Sequence, residues 1–243
     1  MLKILITKIV DSISKLLIKR PLVSLFMDSR FLFRYQMLRK TVSDSADIAI
    51  NNFGDAMYFY ADEALWSYVS NKFKTASKAE PNKIIIAEFG VWKGRSINYF
   101  AKKLPSASIF GFDSFEGFAQ DWSGTATKKG DFNLFQKMPK VESNVTLTKG
   151  WFEETVPGFV NLLNGSQIFI LHMDADIYEP TKYVLSSLSG NIRQGTIIVF
   201  DQFFGYVNFK NHEFKAWSEF ASAENLKYTY IAFTNRQVAI EIL

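Results

Sequence analysis

The sequence predicts an α/β fold, a mostly parallel seven-stranded sheet with helices on both faces, closed by a C-terminal antiparallel hairpin and preceded by N-terminal helices. Three observations predict it. Short, almost wholly apolar runs alternate with amphipathic stretches from Lys83 onward, as in a parallel sheet buried on both faces. Carboxylates stand where four of those runs stop, at Glu88, Asp113, Asp174 and Asp201. The last two runs, LKYTYIAF and RQVAIEIL, are separated only by Thr234 and Asn235, which is hairpin spacing.

Taken in order, MLKILITKIVDSISKLLIKR has the spacing of an amphipathic helix, and Pro21 ends it. Helical pattern continues through LFRYQMLRK and DAMYFYADEALWSYVSNKF, and the polar stretch KTASKAEPNK follows. The division expected is therefore a helical segment over 1–80 and a ligand-binding domain over 81–243. In that domain KIIIAEF, SIFGFD, NVTLTKG, IFILHMDAD and TIIVFD read as strands, and INYFAKKL, FEETVPGFVNLL and EPTKYVLSSL as helices.

With 243 residues, 48% of them hydrophobic, the chain can bury a substantial core. It has no cysteine, which excludes disulfides and thiolate metal sites and makes a cytoplasmic location the default expectation. The formal charge is +4, but the first forty positions hold nine Lys and Arg against Asp11 and Asp28. Lys8, Asp11 and Lys15 interrupt the first helix too often for a membrane span, and no signal-peptide pattern precedes a cleavage site. Residues 1–20 suit packing on their own domain, a second copy in a homo-oligomer, or an anionic membrane surface. No nucleic-acid partner is expected, because the basic segment is amphipathic rather than interleaved with aromatics.

The stretch AEFGVWKGRS follows the first strand. Gly90 and Gly94 enclose three residues, with Trp92 where a pyrophosphate loop needs a close-approach glycine, and Glu88 would repel phosphate. An acid there suits a ligand with an amino group or a sulfonium, and S-adenosylmethionine has both. Asp113, ending the second strand, suits the two hydroxyls of an adenosine ribose.

EFGVWKGRS, GFDSFEGF, KGWFEETVPGF, MDADIYEPT and IIVFDQF, in that order, resemble the macrocin O-methyltransferase family of class I S-adenosylmethionine-dependent methyltransferases. The resemblance covers roughly Pro81 to Phe220. It implies that Glu88, Gly90, Gly94 and Ser96 surround the methionine part, that Asp113 and Ser114 bind the ribose, and that Gly150 and Trp151 border the adenine. It also implies a divalent cation, magnesium, held by Asp174 with Asp201 and Gln202, although many relatives have a second acid in place of Gln202. A neutral amide there weakens the site.

An acceptor hydroxyl must lose a proton as it is methylated, and Asp174 is the first candidate for the base, with His212 the second. Asp176 reads as a helix cap, and His172 as a hydrogen-bonded core residue. The long segment from Phe115 to Lys140 has the length of a binding loop. The expected activity is O-methylation of a sugar, glycan or other small molecule. The alternatives are a methyltransferase of a macromolecule and a catalytically silent S-adenosylmethionine-binding protein.

Overall fold

The structure, a computed structural model, describes residues 29–76 and 84–243. The helix expected over residues 1–20 and the boundary near Pro81 lie outside the described residues. The chain divides into compact units at Asp44/Ser45, and the sheet lies wholly in the second unit. No helix among the described residues is long and apolar enough to cross a membrane.

In chain order the elements are α1 (Ser29–Asn52), β1 (Met57–Tyr58), α2 (Asp62–Ala76), β2 (Ile85–Phe89), α3 (Arg95–Lys103), β3 (Ser108–Asp113), β4 (Val145–Lys149) and α4 (Phe152–Leu163). Then come β5 (Ile170–Met173), α5 (Tyr178–Ser187), β6 (Ile197–Phe200), α6 (Glu213–Ala223), β7 (Tyr228–Phe233) and β8 (Val238–Ile242). The sheet order is β1-β7-β8-β6-β5-β2-β3-β4, with β6–β8 and β7–β8 antiparallel and every other pair parallel.

Successive residues of each central strand point to opposite faces, which produces two cores. Ile86, Ile170, Ile197 and Val199 pack with Leu65, Trp66, Val69, Phe73, Ile97 and Phe100 from α2 and α3. Ala87, Phe89, Leu171, Met173, Ile198 and Phe200 pack with Phe159, Val184, Leu185 and Trp217 from α4, α5 and α6. Both faces are therefore apolar, which is why the strand sequences run almost without polar interruption.

Two expectations need correction. The sheet has eight strands because Met57 and Tyr58, inside a stretch that reads as helix, pair in parallel with Ala232 and Phe233. Gly54, at φ +50°, ends the helical path before them, and Phe53 packs on Phe204, Tyr230 and Phe233. Nor does the sheet unit begin at Pro81, since α2 and β1 are built into it. Leu65 and Trp66 of α2 are buried in the same core as Ile86, Ile170, Ile197 and Val199 of the sheet.

From β2 the chain runs outward through β3 to β4, then crosses back to β5 and β6 on the other side. That reversal opens a crevice at the carboxyl ends of β2 and β5, where ligands bind in sheets of this type.

Candidate active site

A cavity of about 690 Å³ occupies this crevice. Its lining includes Gly90, Ser96, Asp113, Ser114, Gly150 and Trp151 on one side and Asp174, Asp201, Gln202 and Arg236 on the other. Residues expected at the cofactor and at the acceptor thus share one space.

The first loop is held by backbone geometry. Gly90 has φ +96°, its N–H donates to Phe112 O at 2.9 Å, and a Cβ on it would stand 1.9 Å from the carbonyl oxygen of Asp174. Glycine is required here because two strand exits touch. Asp113 Oδ2 accepts the N–H groups of Val91 at 2.9 Å and Trp92 at 2.7 Å, and its Oδ1 accepts that of Phe115 at 2.6 Å. These charge-assisted bonds hold Trp92 at φ +44°, a backbone conformation that costs a bulky residue about 1–2 kcal/mol. Gly94, at φ +77°, opens α3 without a side-chain cap, leaving N–H groups for an anionic group of a ligand.

Glu88 is placed otherwise than the sequence suggests. It is buried away from the cavity, accepting from Ser96 Oγ at 2.9 Å and facing His172 Nδ1 at 2.9 Å. Burial pushes its carboxyl above the usual range, and His172 opposes the shift. Burial disfavours charge on His172, yet the bond to Glu88 lifts the imidazole above its ordinary value. Glu88 therefore acts on the cavity through Ser96, while Gly94 shapes the loop without lining it.

At the far side, Asp174 and Asp176 are partly exposed and line the cavity. Burial, then the charge of Asp201, pushes both carboxyls well above the usual carboxylate range. Such groups are stabilised by a cation, and the uncapped α3 terminus opposite them accepts an anion. A zwitterionic sulfonium such as S-adenosylmethionine fits that pairing, with Gly90, Ser96, Asp113, Ser114, Gly150 and Trp151 as the residues that would hold it.

The implied magnesium does not fit in the same way. Asp201 Oδ2 accepts from Arg236 Nη1 at 2.5 Å and Gln202 Nε2 at 3.1 Å, and its Oδ1 accepts from Gln237 Nε2. Its lone pairs are largely committed, and Gln202 turns its nitrogen toward this acid. Among the described residues no three carboxylates or imidazoles converge on a point that could hold a metal ion.

His212 does not reach the cavity. It is buried, with Nε2 2.9 Å from Ser123 O and 3.1 Å from Ser123 Oγ, packed beside the rings of Trp122 and Tyr206. Burial lowers its pKa, so the neutral ring anchors the long loop after β3, which lines the cavity through Gly117, Phe118, Trp122 and Phe132. Sequence reasoning missed Glu213, whose Oε1 accepts from Asp176 N at 3.2 Å and Oε2 from Gln202 N at 2.9 Å. The signal was the acid following His212 at the start of α6. Arg236 was missed as well, for it carries no motif.

Residues 87–203 match a family described as a methyltransferase domain. A relative from Streptomyces olivaceus, 8-demethyl-8-(2,3-dimethoxy-alpha-L-rhamnosyl)-tetracenomycin-C 4'-O-methyltransferase, is 21% identical over 140 residues, 49% of this chain. The match spans 52% of that relative, about half its length. The crystal structure of the calicheamicin methyltransferase CalS11 superposes with a TM-score of 0.59 at 20% identity, covering 89% of this chain and 94% of that one. The O-methyltransferase NovP gives 0.56 at 16% identity, covering 74% and 78%. These likenesses establish the fold. Residues 87–203 are thus similar to a methyltransferase domain, and the chain carries the Rossmann-like α/β fold that CalS11 and NovP share.

Proposed function

We propose that this chain is an S-adenosylmethionine-dependent O-methyltransferase acting on a hydroxyl of a sugar, glycan or other small molecule. The observation that carries the reading is a single cavity with the Gly90–Asp113 loop at one side and Asp174 at the other, joined by the contact between Gly90 and the Asp174 backbone. Its volume, about 690 Å³, suits a nucleoside-sized cofactor beside a small acceptor. The relative from Streptomyces olivaceus is named for methylating a rhamnosyl group, and an apo structure of CalS11 is described as a TDP-rhamnose 3'-O-methyltransferase. Both names support a sugar hydroxyl, as does the resemblance to the macrocin family.

When bound, S-adenosylmethionine supplies a methyl group on a sulfonium, and its transfer to oxygen forms a C–O bond and breaks the S–C bond, with the electron pair passing to sulfur. Asp174, facing the cavity, takes the proton released by the acceptor hydroxyl. Trp122, Phe118 and Phe132 of the long loop line the cavity and give the acceptor an apolar wall. The divalent cation implied by the resemblance is given no step, because Asp201 is already engaged.

Calorimetric titration with S-adenosylhomocysteine, followed by an acceptor panel of hydroxylated sugars and catechols read by S-adenosylhomocysteine release, tests this function. Asp174→Asn should leave S-adenosylhomocysteine binding within a few-fold and lower kcat by roughly 10²–10⁴. Absence of binding by the wild-type chain defeats the reading.

A further inference from the structure

Arg236 lies in the turn between β7 and β8 and lines the cavity together with Asp174, Asp201 and Gln202. Its Nη1 donates to Asp201 at 2.5 Å and its Nη2 to Asp62 at 2.6 Å. Those bonds commit two of the five N–H donors of the guanidinium. The backbone of the turn is fixed too, since Arg236 O accepts the N–H of Phe203 at 2.9 Å, and a Cβ on Gly205 would stand 2.3 Å from Asn235 O. The side chain is 31% exposed, and the cavity is the space it borders. A cation held by two carboxylates and a rigid turn is preorganised for a ligand oxygen.

Two features of Asp201 point the same way. Both of its oxygens face donors from the protein itself, namely Arg236, Gln202 and Gln237. The residue after it, Gln202, is neutral, so the strand end lacks the second negative charge that would draw a divalent ion away from the guanidinium.

We infer that Arg236 is the fixed positive charge of the acceptor site: it stands where metal-assisted methyl transfer uses a divalent ion, and its free N–H groups bind the oxygen of the acceptor beside Asp174. The guanidinium stays protonated throughout. It donates hydrogen bonds to the acceptor oxygen while Asp174 takes the proton. The ligand class this selects is an acceptor with an oxygen adjacent to the reacting hydroxyl, as in a vicinal diol.

The inference rests on the methyltransferase reading, and the experiment separates the two. The full chain, first shown to bind S-adenosylhomocysteine, is titrated with Mn²⁺ while the electron paramagnetic resonance of free Mn²⁺ is followed. The wild-type chain should show no saturable site up to about 1 mM, the weak end of carboxylate sites. Arg236→Gln should gain one saturable site that Asp201→Asn, added to it, removes. A wild-type site that Asp201→Asn abolishes overturns the inference, and so does the absence of any gain in a folded Arg236→Gln. A wild-type site that survives Asp201→Asn but is lost in Asp174→Asn lies in the same cavity and overturns the inference too; one that survives both lies outside the cavity, and the Arg236→Gln gain decides. Should Arg236→Gln not fold, the wild-type, Asp201→Asn and Asp174→Asn titrations decide by themselves. Failure to bind S-adenosylhomocysteine would defeat the functional reading instead.

Discussion

Glu213 accepts backbone hydrogen bonds from Asp176 at 3.2 Å and from Gln202 at 2.9 Å, so one side chain on α6 ties the exits of β5 and β6 together. Burial, then the charge of Asp176, pushes its carboxyl well above the usual range. Two N–H donors need two acceptor oxygens, and an amide offers only one. Glu213→Gln should therefore cost about 1–3 kcal/mol, read by urea denaturation, and should weaken S-adenosylhomocysteine binding only slightly because Glu213 does not line the cavity. At this scale the sequence was legible where a residue's role follows from strand position. Asp113 and Asp174 had to stand at strand ends, and they do. Glu88 misled because an acid ending a strand looks the same whether it faces ligand or a buried imidazole. Only the position of His172 on the neighbouring strand, opposite Glu88 in the register, separates the two cases.

Among the elements, α2 and β1 redraw the domain boundary. Leu65, Trp66, Val69 and Phe73 are buried against β2, β5 and β6, and Phe59 N donates to Phe233 O at 2.8 Å beside the short edge strand. A fragment spanning 81–243 would expose that apolar face and should aggregate, whereas 45–243 should unfold cooperatively in circular dichroism; a cooperative transition from 81–243 would overturn this boundary. The central strands could be read because burial on both faces leaves an unbroken apolar run. β1 could not, since two residues carry no period and their partner, β7, lies at the far end of the chain. The start of α2 was hidden for a related reason: MYFY suits a helix as well as an edge strand until Gly54 and the β7 edge decide.

For the whole molecule, ligand and fold are one equilibrium. Asp174, Asp176 and Asp201 share the cavity with the guanidinium of Arg236, so a cationic ligand adds a further positive charge among three carboxylates. S-adenosylmethionine at about 100 times its Kd should add about 2.7 kcal/mol and raise the thermal midpoint by roughly 5–10 °C. Adenosine, which lacks the sulfonium and amino groups, should bind more weakly and give a clearly smaller shift at equal concentration; equal shifts would argue against a role for those charges. Long-range pairing explains why the acceptor side was the less legible half. Arg236 meets Asp62 and Asp201 from far along the chain, and no local spacing announces it. The clamp made by Asp113 has a consequence of a different kind. Val91 and Trp92 belong to a loop by their dihedral angles, but their amide protons are bonded to the last residue of β3. In hydrogen–deuterium exchange those two protons should open with the sheet rather than with the surface, so that the loop beside the cavity, half-exposed at Trp92, keeps the time of the core.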